Sequence, residues 1–94
     1  MKTLKTILSQ NTGRVYVYLE DEKARKSFVC QAESEGFTFC DGCSLSSREI
    51  GDIMAINRDF TINFVGFIGR IAFQCAEKVG NEKLHKINYN DICN

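Results

Sequence analysis

Residues 57–75, NRDFTINFVGFIGRIAFQC, change their hydrophobic period midway, and that change constrains the fold more than any other stretch. Phe60, Ile62 and Phe64 alternate with Thr61, Asn63 and Val65, a period of two that predicts a strand with one large apolar face. Asn57, Arg58 and Asp59 come just before it as a turn, because Asn and Asp tolerate left-handed backbone and bond their own main chain. The apolar run Ile53, Met54, Ala55, Ile56 precedes that turn, so the two runs read as an antiparallel hairpin. Beyond Val65, Ile68, Ile71, Ala72 and Cys75 fall at helical spacing, with Phe67 and Phe73 widening the apolar face. A helix apolar over so much of its surface is expected to be central.

The remaining elements follow from similar patterns. Leu4, Ile7 and Leu8 suggest a short leading helix or arm within residues 1–13, stopped by Gly13. Val15, Val17 and Leu19 face one way and Tyr16 and Tyr18 the other, so this strand is expected inside its sheet. Glu20, Asp21 and Glu22 suit a helix N-terminus. Residues 23–35 then carry Ala24, Phe28 and Ala32 as an apolar stripe flanked by Val29, and Gly36 ends the helix. Asp21 with Arg25 and Glu22 with Lys26 are acid-before-base pairs four apart. Phe37, Thr38 and Phe39 read as a short strand broken by Asp41 and Gly42. Ser46 with Glu49 has capping-box spacing, with Gly51 as a possible stop. Residues 84–89 alternate and carry charge, which predicts an edge strand.

The expected order is β-α-β-β-β-α-β: an α+β domain spanning residues 1–94, with one mainly antiparallel sheet and helices packed on one face. A ferredoxin-like arrangement is one candidate, inexact because of the extra strand. The strands at Val15 and Phe37, if parallel, need a right-handed crossover.

Ninety-four residues suffice for one domain with a small core. Twelve basic and twelve acidic residues cancel, which argues against binding long nucleic acid. No run approaches the length of a membrane span. Residues 1–10 hold only Ile7 and Leu8 as an apolar pair, so they are not read as a signal peptide. Five cysteines without a secreted context are expected to be reduced thiols in the cytoplasm.

Several segments taken together carry a likeness. They are VYVYL from Val15, Phe28, AESEGFTF from Ala32, Asp41–Gly42, DIMAI from Asp52 and TINFVGFIG from Thr61. The pattern, covering residues 14–73, resembles a family of small uncharacterised proteins carried by phages and prophages of Gram-positive bacteria. The resemblance implies a mobile-element setting and brings no catalytic residues. Cys40 departs from it, standing where the family has a small non-cysteine residue, and so does the lysine-containing tail; a metal role for Cys40 is weakened accordingly.

Candidate chemistry is sparse. Cys40 and Cys43 form a CxxC that can hold one edge of a zinc site, with Cys30, Cys75, His85 and Cys93 to complete it. The absence of a second CxxC or CxxH favours loop thiols instead, with Cys30 and Cys75 as small buried apolar residues on helices. Redox use needs the motif to open a helix, and Ser44-Leu45-Ser46 does not continue it convincingly. Gly66, Phe67, Gly69 and Arg70 form a strand-to-helix junction whose amides and guanidinium suit a phosphate. The competing reading is that the glycines allow close packing. His85 is read as a solvent-facing strand residue. Asn57, Arg58 and Asp59, at a hairpin tip, are candidate partner contacts.

The phage resemblance, with the small size and the lack of a catalytic constellation, implies a non-catalytic counter-defence protein that needs no cofactor. It would act by occluding a host effector, as anti-CRISPR inhibitors do, or by sequestering a nucleotide signal. A small nucleotide- or phosphate-binding module at the Gly66–Arg70 junction is the first alternative, and a cysteine-based zinc protein the second. Aromatic residues on both faces of so small a sheet predict a homodimer.

Overall fold

A computed structural model describes residues 3–11, 13–66, 71, 73–74, 78–79 and 82–92. Its elements in chain order are α1 (Leu4–Gln10), β1 (Arg14–Tyr18), α2 (Glu22–Ser34), β2 (Thr38–Phe39), a 3-10 turn (Leu45–Ser47), β3 (Ile53–Ile56), β4 (Thr61–Phe64), β5 (Lys78–Val79), β6 (Glu82–Asn88) and α3 (Tyr89–Ile92). Ile71, Phe73 and Gln74 are helical. This is the expected α+β domain with a mixed, mostly antiparallel sheet.

The sheet order is β2-β4-β3-β1-β6-β5. β1 pairs antiparallel with β3 and parallel with β6, while β4 pairs antiparallel with β3 and parallel with β2. The ferredoxin-like arrangement is therefore replaced by a six-stranded sheet. β1 and β2 run in the same direction, but β3 and β4 lie between them, so α2 carries the chain across the sheet instead of to a neighbouring strand. The expected edge strand is also corrected. β6 lies between β1 and β5, and its charges are tolerated because Lys83 and Lys86 remain exposed while Leu84 is buried.

The alternation in β1 decides which side chains share a core. Val15 and Val17 pair with Ile56 and Met54 and face α1, α2 and α3, where Leu4, Ile7, Leu8, Phe28 and Tyr89 close the main core. Tyr16, Ile53, Ala55 and Leu84 form a smaller cluster on the opposite face, against which Tyr18, Val65 and Phe73 pack.

α2 begins at Asp21, whose carboxylate accepts from the Ala24 amide at 2.8 Å. That capping role replaces the expected ion pair with Arg25; the Lys26–Glu22 pair forms, at 3.6 Å. α2 ends where Gly36 turns left-handed (φ 90°) and the Phe37 amide returns to the Ala32 carbonyl, a Schellman closure. The capping box expected at Ser46 and Glu49 is absent. Ser47 instead donates to the Ser44 carbonyl, and Ser46 reaches Glu33 on α2.

A seven-residue helix such as α1 is marginal alone, and it is held at both ends from outside. At its start the Glu35 carboxylate accepts from the amides of Leu4 (2.9 Å) and Lys5 (3.0 Å). At its end Asn11 donates to the Ile7 carbonyl. Arg58 also donates there, to the carbonyls of Leu8, Asn11 and Gly13.

Candidate functional site

α2 and the 3-10 turn enclose a groove of about 570 Å3. It is built because the α2 stripe Ala24, Phe28, Ala32 is consumed by the core, which leaves Val29 and Cys30 on the flank of the helix. Leu45 and Ile50, buried under the facing wall, complete an apolar floor. The rim is charged, and much of it is already matched within the chain. Lys26 pairs with Glu22, Ser46 donates to Glu33 at 3.3 Å across the groove, and Arg48 pairs with Asp41.

Arg25 is different. It lines this groove, and its Nε is sealed from solvent without a hydrogen-bond acceptor. A buried donor left unmatched costs about 1–3 kcal/mol. The groove therefore combines an apolar floor, a neutralised rim and one arginine whose Nε is unmatched. Sequence reasoning missed it; the available signal was the Val29–Cys30 pair standing beside, and not within, the stripe.

The turn at residues 57–60 is exposed from Arg58 onward, yet its polar side chains are engaged within the chain. Asn57 Nδ2 donates to Asn63 Oδ1 (2.7 Å) and Thr61 Oγ1 (3.1 Å), Asp59 Oδ1 accepts from the Thr61 amide, and Arg58 holds the end of α1. These three residues organise the hairpin and its neighbours. Phe60 follows with φ 63°, an uncommon conformation for a bulky side chain. Its ring is anchored edge-on against Phe37 and beneath the Lys5 ammonium.

Cys40 and Cys43 are exposed thiols that make different contacts. Cys40 approaches Thr61 Oγ1 at 3.5 Å, while Cys43 lies 3.6 Å from Arg48. Among the described residues no three His, Cys, Asp or Glu side chains gather as a metal site. Cys30 is exposed rather than buried, because it falls off the α2 stripe. His85 is half-buried in β6. Gly66 follows β4 in exposed, open space. Phe67, Gly69, Arg70, Cys75 and Cys93 lie outside the described residues.

The Asp41 carboxyl is held down at about 2, first by the hydrogen bond from Arg48 and then by the Cys43 amide. The Arg48 guanidinium is raised by the same partner. Arg48 also stacks over the Phe39 ring at 4.8 Å, so it fastens residues 39–48 into a compact loop. Among the described residues no helix is long and apolar enough to cross a membrane. Comparison with protein-family models, curated proteins and solved structures gives no match.

Proposed function

We propose that the chain is a non-catalytic counter-defence protein of a phage or other mobile element, which occludes a host defence effector by binding it through the α2 groove. The observation that carries this reading is the unmatched Nε of Arg25 beside an apolar floor. A partner segment bringing one apolar side chain and one carboxylate would cover the floor and pair with the charge of the Arg25 guanidinium. Because most rim charges have partners inside the chain, covering them strands little charge. Apolar centres with polar rims are the common anatomy of protein interfaces. The phage resemblance supports the setting, and in this reading the protein works in the host cytoplasm. The expected homodimer belongs to the same proposal, motivated by Phe60, Phe64 and Ile71, each more than two-fifths exposed.

The test is protection of a phage or plasmid from host defence in cells expressing the chain. Val29→Asp, which places charge on the groove floor, is expected to abolish protection while the protein stays folded. Retained protection would remove the groove from the account. Native mass spectrometry of gently purified protein separates the alternatives. A bound mass of a few hundred daltons favours nucleotide sequestration, which the Gly66–Arg70 junction would serve. A zinc increment favours the cysteines.

A further inference from the structure

The α2 groove has a direction. The Ser46 hydroxyl meets Glu33 near the end of α2, and the Leu19 amide, just ahead of α2, donates to the Asp52 carbonyl at 2.6 Å. Residues 46–52 therefore run antiparallel to α2 along the groove. Successive turns of α2 add different chemistry: Arg25 and Lys26 on one, Val29 and Cys30 on the next, Glu33 on the third. The groove thus passes from positive through apolar to negative over about 12 Å, at 1.5 Å per residue. Three details preserve that polarity. First, Arg25 forms no ion pair among the described residues, since Asp21 caps the helix instead. Second, Lys26 meets Glu22 only as an exposed pair, the kind worth little. Third, Glu33 takes one hydrogen bond from Ser46 and meets no opposite charge among the described residues, and α2 has no basic residue in its last turn to offset its negative pole. The facing wall adds adjacent opposite charges, Arg48 and Glu49, and so sets no polarity of its own.

We propose that the groove receives an amphipathic helix of the partner, antiparallel to α2, which reads base-x-x-apolar-apolar-x-x-acid from its N-terminus. This rests on the groove being the binding surface of the proposed function, and adds the chemistry of its occupant. So placed, the helix brings its base to Glu33 and its acid to Arg25 and Lys26, with the apolar pair over Val29 and Cys30 between them. Residues i, i+3, i+4 and i+7 share one helical face, which is what contacts spaced by turns of α2 require. Strand addition is not offered, because residues 45–50 of the facing wall are a 3-10 turn and irregular chain, with no strand edge. A second copy of the chain fits less well. Its α2 carries the same pattern at Lys26, Val29, Cys30 and Glu33, but on the side of a concave groove. Two concave surfaces do not fill each other.

Fluorescence anisotropy with two designed peptides of about 18 residues, long enough to hold a helix, tests the assignment. One carries Lys-x-x-Leu-Leu-x-x-Glu in an alanine-rich background, and its twin has the two charges exchanged. The full chain is expected to bind the first about tenfold more tightly than the twin, since two rim ion pairs become two repulsions. Val29→Asp should abolish binding of both. Lys26→Glu combined with Glu33→Lys, both at exposed positions, should invert the preference without loss of the fold. No binding of either peptide at about 1 mM, a weak constant, overturns the proposal. So does equal affinity for the two, or an unchanged preference in the exchanged variant. A dimer that dissociates in the exchanged variant also overturns it, by assigning the groove to a second copy. In cells, protection lost with Val29→Asp but kept in the exchanged variant removes the helix and leaves the proposed function standing. Protection kept in both removes that function as well.

Discussion

Arg25 and Arg58 show how the same side chain takes opposite roles at the scale of a single residue. Arg58 has acceptors for three of its donors, whereas Arg25 Nε has none. Arg25→Met, which keeps the alkyl packing, is therefore expected to leave the melting temperature unchanged or raised while protection in cells is lost. A stability loss of about 2 kcal/mol or more would mean that Arg25 serves the fold. Arg58→Ala is expected to cost about 2–3 kcal/mol in urea unfolding, since hydrogen bonds from a charged donor are each among the stronger kind. Arg58→Lys should recover only part, because an ammonium cannot fork across three carbonyls. Gly13 is as strict: its φ is 93°, and a Cβ there would stand 2.4 Å from the Lys83 carbonyl oxygen. Gly13→Ala is expected to cost about 3 kcal/mol.

Asp41 gives the pH prediction. Its carboxyl titrates at about 2 in the fold, against an ordinary 3.8. A depressed carboxyl stabilises the folded loop above the ordinary value, and the contribution disappears as pH falls through the folded one. The Arg48–Asp41 contact is thus expected to persist at pH 4 and open near pH 2. Carbon-detected NMR of the Asp41 carboxyl checks this, and Arg48→Ala should return the midpoint towards 3.8.

At the scale of elements, local pattern carried most of the reading. β1 was legible because bulk alternates on both faces, α2 because its stripe, acidic start and glycine stop agree, and the β3–β4 hairpin because two apolar runs flank turn residues. What was hidden depends on partners distant in the chain. Tyr89 looks like the end of a strand, but it opens α3, where its hydroxyl donates to Gln31 and its ring meets Phe28 edge-on. Nothing near Tyr89 encodes that. Likewise β6 looks like an edge because the register with β1 is set by a parallel pairing some seventy residues apart in sequence. The groove was missed because Val29 was read only as a flank of the stripe, while its facing wall, Leu45 and Ile50, comes from a distant segment. Glu35 joins two elements, ending α2 while capping α1. Glu35→Ala is expected to cost about 2 kcal/mol, and Glu35→Gln less, as one oxygen acceptor remains.

Across the whole molecule, the two faces of the sheet differ in how they are covered. One receives α1, α2 and α3. The other receives Phe73, with Lys86 above its ring at 5.9 Å. At the β2 margin the chain shields itself: the Phe39 amide is taken by the Cys43 carbonyl, and the Phe39 carbonyl by the Gly42 amide. That closure leaves β2 without the open ladder that invites strand addition. Light scattering on a size-exclusion column is expected to show a dimer that dissociates when Phe64, stacked on Phe39 but 47% exposed, is changed to Lys. A monomer at all concentrations would remove the dimer.

The fastening of α1 also bears on the order of events during translation. The Leu8 carbonyl is claimed by a residue fifty positions later, and the Leu4 amide by one thirty-one positions later. α1 therefore emerges from the ribosome well before the groups that anchor it, and a chain arrested before residue 58 should carry it as unfixed coil. Pulsed hydrogen exchange on stalled nascent chains would show the Leu4 and Lys5 amides unprotected until Glu35, which accepts from both, has cleared the tunnel.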